Sequence, residues 1–213
     1  MPLKKRQLKN SRLYLILDKQ ACGKKNIKHV LECALKGGVD LVQYRDKISP
    51  SRTMIQQTKT LLKITRRFNV PLIINDRWDV FLETEADGIH MGQKDLPIAY
   101  TEETLGKDKI VGLSCHCAVD IKSAQHAKID YLGFGPVFKT ATKPEARPVG
   151  LSALNYALKN STHPVFALGG ITLKNLKKIF WVHQPRIAVC REICQATNIT
   201  RAAKRLKESL KNV

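Results

Sequence analysis

Short apolar runs and longer amphipathic stretches alternate along this chain. Runs with the composition of strands occupy residues 13–17, 39–44, 70–74, 88–91, 110–113, 131–134, 165–168 and 187–189. Between and after them, apolar positions recur at helical spacing over 25–36, 51–68, 78–83, 100–105, 118–127, 151–159, 173–181 and 200–210. Eight strands and eight helices in strict alternation predict parallel strands joined by crossover helices. Eight repeats close into an α/β fold of the (β/α)8 TIM barrel type, whereas an open doubly wound sheet usually stops at five or six strands. No low-complexity linker interrupts the order. Residues 12–213 therefore read as one barrel domain behind a basic N-terminal extension, residues 1–11.

Several boundaries carry local signals. Ser49-Pro50-Ser51 supplies a capping residue and a proline for the second helix, Gly37-Gly38 closes the first, and Thr172 is placed to cap the seventh. Residues 136–150, rich in Pro, Thr and Lys, form the one long loop between a strand and its following helix. A long loop on the carboxyl face is where a barrel keeps its mobile catalytic parts.

Composition narrows the function classes. The chain has 213 residues, 43% hydrophobic and 26% charged, which is globular and sufficient for one substantial core. A formal net charge of +19 raises the question of polyanions. Lys and Arg are spread over every helix, however, and aromatics make up only 6% of the chain, too few for a base-stacking platform. With no zinc-finger or RNA-recognition signature, the charge reads as a Lys-rich solvated surface, and nucleic acid is not an expected partner. The six cysteines have no framework spacing, and Cys115-His116-Cys117 lacks the paired knuckle of a zinc site. Reduced, buried thiols are expected, which fits a cytoplasmic location. The apolar segment 13–17 is too short for a signal core, and no run approaches membrane-spanning length.

Candidate chemistry gathers at the predicted carboxyl ends of the strands, where barrels build their sites. Gln43, Arg45 and Lys47 alternate onto one face of the second strand and offer fixed donors to an anion such as a phosphate or pyrophosphate. Asn75 and Asp76 end the third strand and Asp95 follows the fourth. The two carboxylates suit a hard cation, Mg2+, bridging phosphates. Ser114 and His116 end the fifth strand, Thr140, Thr142 and Lys143 lie in the long loop, and Gly169-Gly170 leaves the seventh strand open to a second phosphate. Taken singly, each has a bland reading as turn, cap or solvated side chain. Six separate strand ends supplying phosphate or metal chemistry together do not. His116 reads equally as a hydrogen-bonded structural histidine or a general base, and His90 reads as structural.

With these motifs in place, the sequence resembles the thiamine phosphate synthase family, whose members are transferases joining a pyrimidine diphosphate to a thiazole phosphate. The resemblance runs through Leu13–Asp18, the Gln43–Lys47 strand, 74–77, 86–95, 112–116, 133–143 and 167–171; its most diagnostic piece is Gly135-Pro136-Val137-Phe138-Lys139-Thr140-Ala141-Thr142-Lys143. It implies that Gln43, Arg45, Lys47, Asn75, Ser114 and Lys143 hold the diphosphate side, that Asp76 and Asp95 ligate magnesium, and that Thr140, Thr142 and Gly170 hold the thiazole phosphate. It also implies a dissociative reaction in which the diphosphate leaves first and the thiazole nitrogen attacks the resulting pyrimidinylmethyl cation. The lack of a nucleophile–base pair in the sequence agrees. A thiazole tautomerase-like sister branch shares the barrel, but Asp95, Lys143 and both threonines favour the synthase. The chain departs from the family pattern after the eighth strand, where Val189-Cys190-Arg191-Glu192-Ile193 replaces small residues. Arg191 is read as a guanidinium substitute for the lost phosphate contact, with Glu192 turned away. The opposing reading is a blocked site, hence an activity-eroded barrel; a non-enzymatic polyanion-binding protein rests on charge alone. Small phosphorylated molecules are the expected partners, with no membrane, and a homo-oligomer is left open.

Overall fold

The computed structural model describes residues 3–93, 105–179 and 185–211. Its eight strands are β1 (Leu13–Asp18), β2 (Leu41–Arg45), β3 (Leu72–Asn75), β4 (Gly88–Met91), β5 (Ile110–Cys115), β6 (Tyr131–Phe134), β7 (Val165–Leu168) and β8 (Ile187–Val189). Every neighbour is parallel, and β8 pairs with β1 through Leu13↔Ile187, Tyr14↔Ala188 and Leu15↔Val189, which closes the barrel. This is the (β/α)8 architecture that the alternating pattern predicts.

The strands are apolar on both faces, and period-two alternation sorts their side chains into two cores. Outward residues such as Leu15, Val42, Ile74, Ile89, Leu113 and Leu132 pack under the helices. Inward residues Tyr14, Leu41, Ile73, Ile110, Tyr131, Phe166 and Ala188 fill the barrel's interior. Leu8, 2% exposed, joins this inner set from a helix at Leu3–Asn10 that precedes β1. The segment that reads as a basic extension is thus helical from residue 3 and contributes to the barrel's interior.

Three aspartates organise the amino ends of the strands. Asp40, Asp87 and Asp130 stand immediately before β2, β4 and β6 and accept backbone N–H groups of Leu13, Leu72 and Val111 at 2.8–2.9 Å. Their carboxylates also take lysines from the first and last helices: Lys207 on Asp40, Lys4 on Asp87 at 3.7 Å and Lys5 on Asp130 at 2.9 Å.

The major helices lie close to their predicted positions, with the longest at Ser51–Arg67 and Ile199–Lys211. The expected helix at 100–105 falls almost wholly outside the described residues. The expected helix at 173–181 is instead a single 3-10 turn, Leu176–Ile179, within the described residues. Asn175 explains its late start: the side chain accepts the Thr172 N–H at 2.8 Å and donates to the Gly170 carbonyl at 2.8 Å, so side-chain bonds take the place of a helical turn.

Candidate active site

The carboxyl ends of the strands surround a cavity of about 880 Å3. Gln43 and Arg45, two apart on β2, both line it, as strand alternation requires. Arg45 donates to Asp18, a carboxylate only 1% exposed. The other Asp18 oxygen accepts the Ala21 N–H at 2.7 Å and caps the short helix Lys19–Cys22. One buried carboxylate therefore fixes both the loop after β1 and the guanidinium that enters the cavity.

Alternation stops with the strand. Asp46 turns the chain, its buried carboxylate accepting Ile48 N–H and Ser49 N–H at 3.0 Å each and the Tyr44 hydroxyl at 3.2 Å. Burial alone would raise its pKa, but these backbone donors, the Ser49 hydroxyl and Lys19 outweigh that and hold the carboxyl well below the usual carboxylate range. Lys47 accordingly does not continue the Gln43–Arg45 face into the cavity. It donates to Asp76 beside it.

Asp76 sits at φ 56°, in the left-handed region that Asp tolerates better than most residues. Its N–H donates to the His90 carbonyl at 2.9 Å, and its carboxylate accepts from the Asn75 amide at 2.8 Å as well as from Lys47. Partial burial opposes ionisation, but the Lys47 hydrogen bond and charge, the Asn75 amide and His90 hold its pKa below the usual value. Among the described residues no group of three His, Cys, Asp or Glu side chains is placed to cage a metal. Asp95, the second proposed ligand, lies outside the described residues. Asp76 by itself offers one carboxylate of the kind that suits magnesium, which keeps most of its waters and takes further oxygens from an anionic ligand.

Across the interior, a buried hydrogen-bond chain links both sides of the cavity floor. Gln43 Nε2 donates to the Tyr14 hydroxyl at 2.7 Å; Tyr14 and Tyr131 hydroxyls meet at 2.7 Å; Tyr131 lies 3.0 Å from His90 Nδ1; and His90 Nε2 lies 2.9 Å from Ser114 Oγ. Burial pushes the His90 imidazole down to about 4, against a smaller upward pull from Asp76, so the ring is neutral at pH 7. His116 plays a different part: its Nδ1–H donates to the Gly135 carbonyl at 2.5 Å, tying the end of β5 to the start of the long loop.

That loop is laced to the exit of β7 by Val137 N–H to Leu168 O at 2.8 Å and Phe138 N–H to Gly169 O at 3.1 Å. The approach is so close that a Cβ on Gly170, which has φ 64°, would lie 2.3 Å from the Lys139 carbonyl oxygen. Thr140, Thr142 and Lys143 line the cavity from this loop, and Gly170 lines it from β7. Arg191, just beyond β8, also faces the cavity and donates to the Ala141 carbonyl at 3.0 Å. Its buried Nε has no protein hydrogen-bond partner among the described residues. Glu192 does not turn away as expected: it too lines the cavity, where its carboxylate accepts the Leu173 N–H at 3.0 Å. Of the twelve predicted site residues, nine converge on one cavity; Lys47 and Asp76 pair beside it, and Asp95 is not described. Sequence reading overlooked Asp18, Asn175 and the Tyr14–Tyr131 pair.

The family profile described as thiamine monophosphate synthase matches residues 13–193. The chain is 38% identical over 207 residues to a thiamine-phosphate synthase of Synechocystis, covering 97% of this chain and 59% of that protein. It is 37% identical over 200 residues to a thiamine-phosphate synthase of Persephonella marina, covering 94% of this chain and 96% of that one. Among solved structures, thiamine phosphate pyrophosphorylase from Pyrococcus furiosus superposes with a TM-score of 0.86 at 30% identity, covering 98% of both chains.

Proposed function

This chain belongs to the thiamine monophosphate synthase family, and from that membership we propose that it condenses hydroxymethylpyrimidine diphosphate with thiazole phosphate, giving thiamine phosphate and pyrophosphate. The single observation that carries this reading is the convergence of Gln43, Arg45, Asn75, Ser114 and Lys143 with Thr140, Thr142, Gly170 and Arg191 around one cavity. The first set offers donors to a diphosphate and the second to a monophosphate, so both substrates lie within one enclosure.

The proposed chemistry is dissociative. The bond between the pyrimidine methylene and the diphosphate oxygen breaks, both electrons leave with the diphosphate, and the thiazole nitrogen then supplies the pair that forms the new C–N bond. Negative charge grows on the leaving group, so catalysis requires fixed donors at that end more than a protein nucleophile. Arg45 is held for this by Asp18, Lys143 approaches from the long loop, and Ser114 adds a hydroxyl. Asp76 and Asp95 would hold magnesium, which when bound supplies electrostatic neutralisation of the diphosphate. Lys47, paired with Asp76, is placed to exchange that partner for a substrate oxygen. At the other end, Arg191 takes the monophosphate with Thr140, Thr142 and the Gly169–Gly170 backbone, while Glu192 is occupied by the Leu173 N–H.

A cytoplasmic location belongs to this reading, because phosphorylated precursors do not enter a bilayer unaided. Among the described residues no helix is long and apolar enough to cross a membrane. The test is formation of thiamine phosphate from the two precursors, with and without magnesium. Product that depends on both precursors supports the reading, and no product from the folded protein refutes it.

A further inference from the structure

The proposed chemistry uses Ser114 but leaves unexplained the buried polar chain behind it. We propose that His90 is a positioning residue: the chain from Gln43 through Tyr14 and Tyr131 fixes its tautomer, and His90 in turn fixes Ser114 as a hydrogen-bond donor to anionic oxygen in the cavity. This rests on the cavity being a diphosphate site.

The protons along the chain set its direction. An amide nitrogen only donates, so Gln43 Nε2 occupies the Tyr14 oxygen as acceptor. Tyr14 then gives its hydroxyl proton to Tyr131, 2.7 Å away, and Tyr131 gives its own to His90 Nδ1 at 3.0 Å. A neutral imidazole that accepts at Nδ1 carries its proton on Nε2, which points at Ser114 Oγ from 2.9 Å. With its oxygen accepting from His90, Ser114 has its own O–H free to turn into the cavity, the orientation an anion requires. If the Gln43 amide were reversed, every bond would run the other way. Ser114 would give its proton to His90 and present lone pairs to the substrate.

The surroundings make this arrangement rigid. A Cβ on Gly112 would lie 2.5 Å from His90 Nδ1 and 2.2 Å from Tyr131 Cζ, so β5 leaves its side-chain space to the two rings. Phe166 packs edge-on against Tyr14 and Tyr131, with centroids 5.3 and 5.5 Å away.

Two measurements test the proposal. Nitrogen-15 NMR of the wild-type protein with labelled histidine should show His90 protonated at Nε2; protonation at Nδ1 overturns the proposal without any variant being made. Calorimetric titration with inorganic pyrophosphate supplies the second. Tyr131→Phe releases the tautomer while keeping the ring, and should weaken pyrophosphate binding about threefold to tenfold, the scale of one hydrogen bond. In a Ser114→Ala background the same change should have no further effect, because His90 acts only through that hydroxyl. An equal loss in both backgrounds overturns the proposal. Wild type that binds pyrophosphate with His90 in the Nε2–H form yet makes no thiamine phosphate would refute the assigned reaction and leave the positioning role standing.

Discussion

Removing the Arg191 guanidinium should damage the use of one substrate and spare the other. One η nitrogen is committed to the Ala141 carbonyl, and the buried Nε has no protein acceptor among the described residues. A buried donor left unpaired costs about 1–3 kcal/mol, and a charge-assisted bond to a phosphate oxygen recovers about 1.5–3 kcal/mol. The bound phosphate therefore gains most of what the free site lacks. Since each bond replaces one to water, Arg191→Ala should cost about 2–4 kcal/mol at the thiazole phosphate, or roughly 30- to 900-fold in kcat/KM. Stability without substrate should change by less than about 1 kcal/mol, because the substitution deletes an unpaired donor together with one carbonyl contact. The assay is steady-state kinetics with each substrate varied in turn, alongside thermal melting. An unchanged KM for thiazole phosphate, or equal losses for both substrates with a large fall in Tm, would refute the reasoning. Improved turnover in Arg191→Ser would establish instead that the side chain obstructs the site.

Asp76→Asn and Asp95→Asn should each abolish most magnesium-dependent turnover with the fold intact by circular dichroism; wild-type rates at low magnesium in either variant would disprove ligation. Lys143→Ala should lower kcat by about 100- to 1000-fold, the cost of one donor to developing charge, while Tm stays close to wild type; a large drop in Tm at normal turnover would mark a structural lysine instead. Asp46→Asn should destabilise the protein at pH 7 in denaturant melts. The folded carboxyl titrates below its ordinary value of 3.8, so its stabilisation is complete above that value and is lost as pH falls through the lower folded one. The gap between wild type and variant should therefore narrow below about pH 4, and a gap independent of pH would show that charge is not what Asp46 contributes.

The barrel was legible because each strand is a short apolar run bounded by turn residues; β4, β6, β7 and β8 coincide with their expected limits and the others shift by one or two residues. Placement in the cavity was legible where a candidate side chain sits on a strand, since alternation then sets its direction, as with Gln43 and Arg45. It failed one step beyond, at Lys47, where a turn built by Asp46 overrides the period of two. The helix at Leu3–Asn10 was hidden by its charge: four of its eight residues are Lys or Arg, and the buried Leu8 gives no periodic signal by itself. Tyr14, Tyr131 and His90 were hidden for the opposite reason. Each resembles ordinary strand core, and only closure of the barrel brings β1, β4 and β6 together across the interior.

Closure also gives the acidic minority of this basic chain a specific use. Asp40, Asp87 and Asp130 each anchor a neighbouring strand and also hold a lysine from one of the terminal helices. These ties between strands and terminal helices lie at the end of the barrel opposite the cavity. Around the cavity the strand exits are held by a separate set of side chains, Asp18 at the end of β1, Asp46 after β2 and Asn175 after β7. Arg191 and Glu192 stand at that end, lining the cavity, outside the network of Asp40, Asp87 and Asp130 that keeps the chain a barrel.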